Sequence, residues 1–283
     1  MLPSFNTNFN KIYHKITIYI TCALIFSLMS ACTPQISTLH PTPPTHRTKK
    51  EIIHKIRGWD RSLHSISGMA MVKLSCQGRT YPWVRCHLSW VKYQNRVLIR
   101  ITGLAIFGRR IFDFLAGPSG IYLYLPSQHA VFVTNYPEAA ILLGTDPTFF
   151  AQELRLILDP FHIFNHRKIT LHMRPFNAWA RVQLRPFKTA SISLDLTSCK
   201  ITRLSLPDIL VHYSRYTYLP QETYYPNNMN ISSKLEYITI KIHFESVESN
   251  TLSAAMRIFN PVCFNKIPHY PFSVLLANIR RTK

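Results

Sequence analysis

The chain has 283 residues, 47% of them hydrophobic, enough for one large domain with a substantial core. Its formal net charge is +20 with only 16% charged residues, a balance that suits nucleic acid or an anionic membrane surface, although the bases are scattered and not gathered into runs. Asp and Glu number 13, no carboxylate pair stands out as an acid/base couple, and no glycine-rich phosphate loop occurs, so the composition argues against an enzyme.

Residues 1–31 carry Lys11 and Lys15, no acid, and then the apolar run Ile16–Ala31. That run is short for a transmembrane span, which needs about 20 residues. It fits the hydrophobic region of a secretory signal peptide behind a positive flank. Its end, Leu28-Met29-Ser30-Ala31-Cys32, resembles the lipobox of bacterial lipoproteins, with Met29 where that pattern prefers leucine. The resemblance implies cleavage before Cys32 and a diacylglycerol on its sulfur, making Cys32 the lipid attachment site. The alternative is an uncleaved anchor helix with a chance cysteine. Several acyl chains on Cys32 would give stable anchoring, where one alone holds only marginally. Thr33 stands where an aspartate would favour inner-membrane retention, which points to the outer membrane of a bacterial envelope, facing the periplasm. In residues 32–48, four prolines and repeated threonines make an extended tether.

Lys49–Leu63 reads as a helix whose apolar stripe, Ile52, Ile56, Trp59 and Leu63, packs on a sheet or lies on a membrane surface. Strands follow at Gly68–Cys76, Trp83–Lys92, Arg96–Thr102, Ile111–Ala116, Ile121–Leu125 and Ala130–Thr134. Short turns and period-2 alternation make them an antiparallel meander, with Arg100 and Asp113 facing outward. The loop Gly103–Arg110 is odd because it carries Leu104, Ile106 and Phe107. Such residues either fold back onto the rim or stand exposed for a membrane or a partner. A second helix, Asp146–Asp159, has Asp146 as N-cap, Pro147 in its first turn and Pro160 as its stop. Beyond it, Ile169–Met173, Ala178–Leu184, Ser191–Leu196 and Leu235–Glu245 read as strands, and Ser205–Leu219 is ambiguous. One domain, 49–263, accounts for all of this, and 264–283 reads as a basic tail.

Of six cysteines, Cys22 leaves with the signal and Cys32 takes the lipid. Cys76 and Cys86, of like parity on consecutive strands, are the local candidates for a disulfide in an oxidising periplasm, though a tight turn between their strands would put them out of register. His162 and His166 have helical ligand spacing but no evident third ligand, so no metal and no cofactor is expected.

The order of lipobox, tether, amphipathic helix, strand meander, covering helix and second strand set resembles the LolA/LolB-like lipoprotein carriers. The resemblance spans roughly Lys49–Asn260 and lies in pattern more than in invariant motifs. In the outer-membrane receptor of that family a protruding loop joins two strands. Ile106-Phe107-Gly108 is similar in position, with Ile106 replacing the family's proline and Phe107 standing for its exposed leucine. The resemblance implies a mainly β fold with helices (α+β), an unclosed antiparallel β-barrel with a helical lid. It further implies an apolar cavity for acyl chains, lined by Val84, Leu88, Trp90, Val97, Ile99, Phe112, Phe114, Phe150, Leu154, Ile157, Ile238, Ile240 and Ile242. The expected function is binding of lipid or lipoprotein acyl chains in outer-membrane localisation. The expected partners are acylated cargo, the membrane and a periplasmic carrier protein, with no nucleic acid. The alternative is a structural or assembly lipoprotein that uses the same fold as a protein-interaction module.

Overall fold

A computed structural model describes residues 48–275 apart from 77, 95, 143–149, 166–168, 186–187, 234–237 and 252–257, and all of these fall in one unit, Pro44–Lys283. The expectations placed on Cys32, Asp146 and His166 lie outside the described residues. Helix α1 (Lys49–Ser62) is started by Thr48. Its hydroxyl accepts the Glu51 backbone N–H while the Glu51 carboxylate accepts that of Thr48, a reciprocal capping box. Its stripe of Ile52, Ile56 and Trp59 is buried, so the helix packs on protein.

The expected meander forms as β1 (Ser65–Cys76), β3 (Val84–Tyr93), β4 (Arg96–Leu104), β5 (Arg110–Ala116), β6 (Ile121–Leu125) and β7 (Ala130–Thr134), with the two-residue β2 (Arg79–Thr80) as a flange on β1. Helices α2 (Tyr136–Leu142) and α3 (Phe150–Leu158) and a 3-10 segment, Pro160–Asn165, cross to the second half. There β8 (Ile169–Met173), β9 (Asn177–Arg185), β10 (Lys188–Asp195), β11 (Ile201–Ser205), β12 (Ile209–Leu219), β13 (Thr223–Ser233) and β14 (Ile238–Phe244) form a second meander. Strand β14 returns to pair with β1 from Ala70↔Phe244 to Cys76↔Ile238, which joins the two meanders into one sheet. With β16 (His269–Pro271) at one edge, the sheet runs β16-β7-β6-β5-β4-β3-β1-β14-β13-β12-β11-β10-β9-β8, so it ends on two different edges and is unclosed. The short β15 (Glu248–Ser249) pairs with the start of β1, and β16 (His269–Pro271) lies parallel to β7.

Three sequence expectations are corrected here. Residues from 264 on are not simply a tail. Phe264 and Phe259 are buried against Leu98, Leu115 and Val131 on the outer face, β16 extends the sheet, and Leu275 packs on Ala130 and Phe132. For the same reason Arg100 and Asp113 face outward but are not solvated: Asp113 is 0% exposed beneath the C-terminal segment. It accepts from Arg100 Nε (3.0 Å) and Nη2 (2.6 Å), while Arg100 Nη1 donates to the Ile258 carbonyl (2.8 Å). Finally, Cys76 and Cys86 are both free thiols. Cys86 lies opposite Ala70 whereas Cys76 pairs with Ile238 and Arg79, so the β1–β3 register keeps them apart.

Candidate functional site

The concave face of the sheet is the candidate site, and its burial changes along the strands. At the end nearest α1, the inward residues Leu88, Trp90, Val97 and Ile99 are buried in one core with Ile52, Ile56, Ile157, Phe161, Ile163 and Phe164. Ile242 belongs to the same core, with Phe114, Leu154 and Ile240 packed against it. Toward the other end the same face opens. Val84, Ile101, Phe112, Ile231 and Ile238 are only half-buried, and Leu74 is 38% exposed. Of the expected cavity residues, then, the structure brings most onto one apolar face, packed shut at one end and open at the other. Phe112 differs: it pairs with Gly103, and its ring fills the space a side chain at 103 would take. The Phe150 side chain lies outside the described residues.

Helix α3 is held over the closed end by polar anchors that hydrophobic periodicity does not reveal. Tyr213 Oη donates to the Ile157 carbonyl (2.9 Å) and Tyr225 Oη to that of Leu158 (3.1 Å), while Trp90 Nε1 donates to Tyr225 (3.0 Å). These bonds satisfy carbonyls at the helix C-terminus that have no partner within the helix. Burial pushes the Tyr213 and Tyr225 hydroxyls above their ordinary range, so both remain proton donors.

Beside them sits a buried charge cluster. Lys92 Nζ on β3 lies 2.6 Å from Asp60 Oδ1 on α1 and 2.8 Å from Asp159 Oδ2, just past α3. His162 Nδ1 is 3.6 Å from Asp60 Oδ2, which also accepts from the Asn165 side-chain amide. Three segments of chain, α1, β3 and the end of α3, therefore meet on one ammonium. Asp60, Asp159 and His162 could in principle ligate a metal ion, but Lys92 already supplies the cation between the two carboxylates. Burial pushes the wholly buried Asp159 carboxyl up to about 8, with Lys92 opposing and Asp60 reinforcing. Burial would also raise Asp60, but His162, Asp159 and Lys92 outweigh it and hold that carboxyl well below its usual range.

The sign for Asp159 follows from its raised value. The folded state keeps a proton that the unfolded chain releases near 3.8, so this contribution to stability is complete below that pH and is lost as pH rises toward about 8. Melting temperatures of wild type should therefore fall relative to Asp159→Asn between pH 5 and pH 8, as the amide mimics the protonated acid. Parallel curves would place the titration elsewhere.

At the open end, the loop after β4 is a built turn. Ala105 N–H donates to Arg109 O (2.7 Å) and Gly108 N–H to Ala105 O (3.1 Å). Phe107 takes φ 63°, ψ 21°, a left-handed conformation unusual for a bulky residue. Its side chain is fully exposed and Ile106 is 81% exposed, while Leu104 is half-buried at the base. Of the two alternatives read from the sequence, the exposed one is observed. The hydrophobic pattern indicated the loop; its left-handed turn had no sequence signal beyond Gly108.

No protein-family model matches the sequence, and no curated protein sequence matches it. Among solved structures, the chain is similar to a DUF1329 family protein from Desulfovibrio piger (TM-score 0.53, 10% identity, 75% of this chain and 95% of that one). It is equally similar to a putative outer membrane lipoprotein-sorting protein domain from Vibrio parahaemolyticus (TM-score 0.53, 12% identity, 75% and 96%). A LolA superfamily protein from Nitrosomonas europaea aligns over 76% of this chain and 98% of its own, at 8% identity and TM-score 0.45. The chain thus shares the fold of the first two, a mostly β, unclosed sheet with few helices.

Proposed function

We propose that this protein is a lipid-anchored carrier or acceptor that takes acyl chains onto the concave face of its sheet, with α3 and Pro160–Asn165 serving as the lid. The observation that supports this most is the gradient on that face, an apolar surface half-exposed at one end and continuous with a packed interior at the other. An acyl chain lying first along Leu74, Ile101, Phe112 and Ile238 would extend inward only by displacing α3. The Tyr213, Tyr225 and Lys92 contacts all hold the C-terminal end of that helix, so opening would turn about that end or break those contacts. Each buried methylene stabilises by about 0.8 kcal/mol, so ten methylenes supply roughly 8 kcal/mol toward displacing the helix. No step needs a catalytic group. Acylation of Cys32 and outer-membrane residence complete the reading. The likeness to a lipoprotein-sorting domain supports lipid or lipoprotein cargo and a bacterial envelope location. The test is whether protein purified from its native envelope carries lipid, and whether Phe107→Glu removes cargo transfer while leaving thermal stability within about 0.5 kcal/mol.

A further inference from the structure

The sheet order gathers exposed apolar side chains, from both faces, at the end of the sheet where the concave face opens. Leu74, Tyr81, Trp83, Ile106, Phe107 and Ile111 are six of the twelve exposed large hydrophobic residues among those described. They lie on or beside β1, β2, β3, β4 and β5. Register brings them level: Arg85 is opposite Leu104, Val84 opposite Val72, and Tyr81 N–H donates to the Leu74 carbonyl (2.9 Å). Trp83 and the Phe107 turn therefore stand at the same end of the sheet, with the Trp83 side chain on its outer face, over Lys73 and beside Asn228, Asn230, Lys241 and His243.

Bases are interleaved with this rim. Arg79 and Arg109 are exposed, Lys73 lies over the Trp83 ring (5.7 Å), and Lys241 pairs with Lys73 across β1 and β14. The acids nearby on these strands do not offset them: Asp113 is fully buried with Arg100 and Arg110, and Glu245 is paired with Arg85 (3.0 Å). Amphipathic rings beside uncompensated cations match the headgroup region of a bilayer, where indole and phenol sit at the apolar–polar boundary and bases meet phosphate.

We propose that the Tyr81–Trp83 corner is a second membrane contact, separate from the Phe107 turn, and that the rim docks specifically on a bilayer rich in anionic phospholipid, with the mouth of the concave face against it. Two contacts fix an orientation where one turn would leave the domain free to roll on its tether. The inference rests on the carrier reading but can fail without it.

The test uses the full chain reconstituted into vesicles whose acyl chains are brominated, containing either phosphatidylglycerol or phosphatidylcholine alone. Trp59 and Trp90 are buried and the half-exposed Trp179 on β9 is common to both proteins, so the difference between wild type and Trp83→Phe isolates the rim indole. The expected result is strong quenching of Trp83 in phosphatidylglycerol vesicles, little in phosphatidylcholine, and about tenfold weaker docking for Lys73→Glu/Arg79→Glu or at high salt. Trp83 unquenched in both vesicles, or quenched equally in both, overturns the proposal. If purified protein nevertheless carries lipid, only the docking mode has failed. If it carries none while Trp83 is quenched, the rim stands and the carrier reading fails.

Discussion

Lys92→Met should destabilise the protein by about 3–5 kcal/mol, seen as a fall of roughly 10 °C in melting temperature for a domain of this size. The side chain is 13% exposed and stands between two carboxylates, one of them wholly buried. Removing it leaves Asp60 charged in a low-dielectric setting with His162, Asn165 and the protonated Asp159 beside it but no lysine. Because Asp159 holds its proton up to about pH 8, the loss should be smallest in mild acid and grow toward alkaline pH, where a second bare carboxylate appears. Lys92→Met/Asp159→Asn should recover part of the loss at alkaline pH, where Asp159 would otherwise be a second buried charge. A pH-independent loss that Asp159→Asn does not relieve would mean that Lys92 acts through its aliphatic stem. The same cluster joins α1, β3 and the lid, so Lys92→Met should also speed hydrogen exchange in α3 at conditions where the protein is still folded.

Gly68→Ala should cost about 3 kcal/mol, at the upper end of overpacking effects. A methyl group there would stand 2.0 Å from the Ser246 carbonyl oxygen and 3.3 Å from Val247 Cα. Those atoms are backbone and cannot swing aside. They belong to the crossing between β14 and β15, where the chain passes over β1, with Glu245 and Ser246 N–H both donating to the Met69 carbonyl. The crossing abuts the β1–β14 seam that joins the two meanders, so the damage should appear as lost cooperativity as well as a lower melting temperature. Gly58→Ala is the control. Gly58 lies within α1 with nothing within 4 Å of the added methyl, and it should gain about 1 kcal/mol from helix propensity. If both substitutions had the same sign, the crossing would not be as tight as described.

Much of the fold was legible because alternation and caps were strong. The six strands of the first meander, α1, β8 and β14 all lie where period and turn chemistry put them, and Ile192 and Leu194 face inward as read. What failed was any feature set by a distant segment. Strand β13 has Pro226 and three asparagines, which argue against a strand. Yet β14 pairs only with Asn228–Ser232, so Pro226 lies on a half of β13 that β14 does not reach and that pairs with β12 alone. Asn227 accepts from Thr217 Oγ1 (2.6 Å), and Asn228 Oδ1 meets His243 Nδ1 (2.5 Å). Arg100 and Asp113 had the parity of solvated residues, because nothing local announces the C-terminal segment that covers them. The exposed loop was visible as apolar residues between glycines. The anchors of α3 were not, because they are single hydroxyls and one lysine contributed by strands far away in the chain.

Native mass spectrometry of the full chain, extracted from its membrane in mild detergent and stripped of free lipid, tests the carrier reading most directly. It should show a bound species one lipid heavier than the acylated chain, which acid organic extraction releases as acyl-bearing molecules. A photoactivatable acyl probe should compete for that place and label Leu88, Trp90, Val97 or Ile99. A chain that carries no lipid and takes up no probe, or a probe that labels only the Phe107 turn and never the concave face, would contradict it.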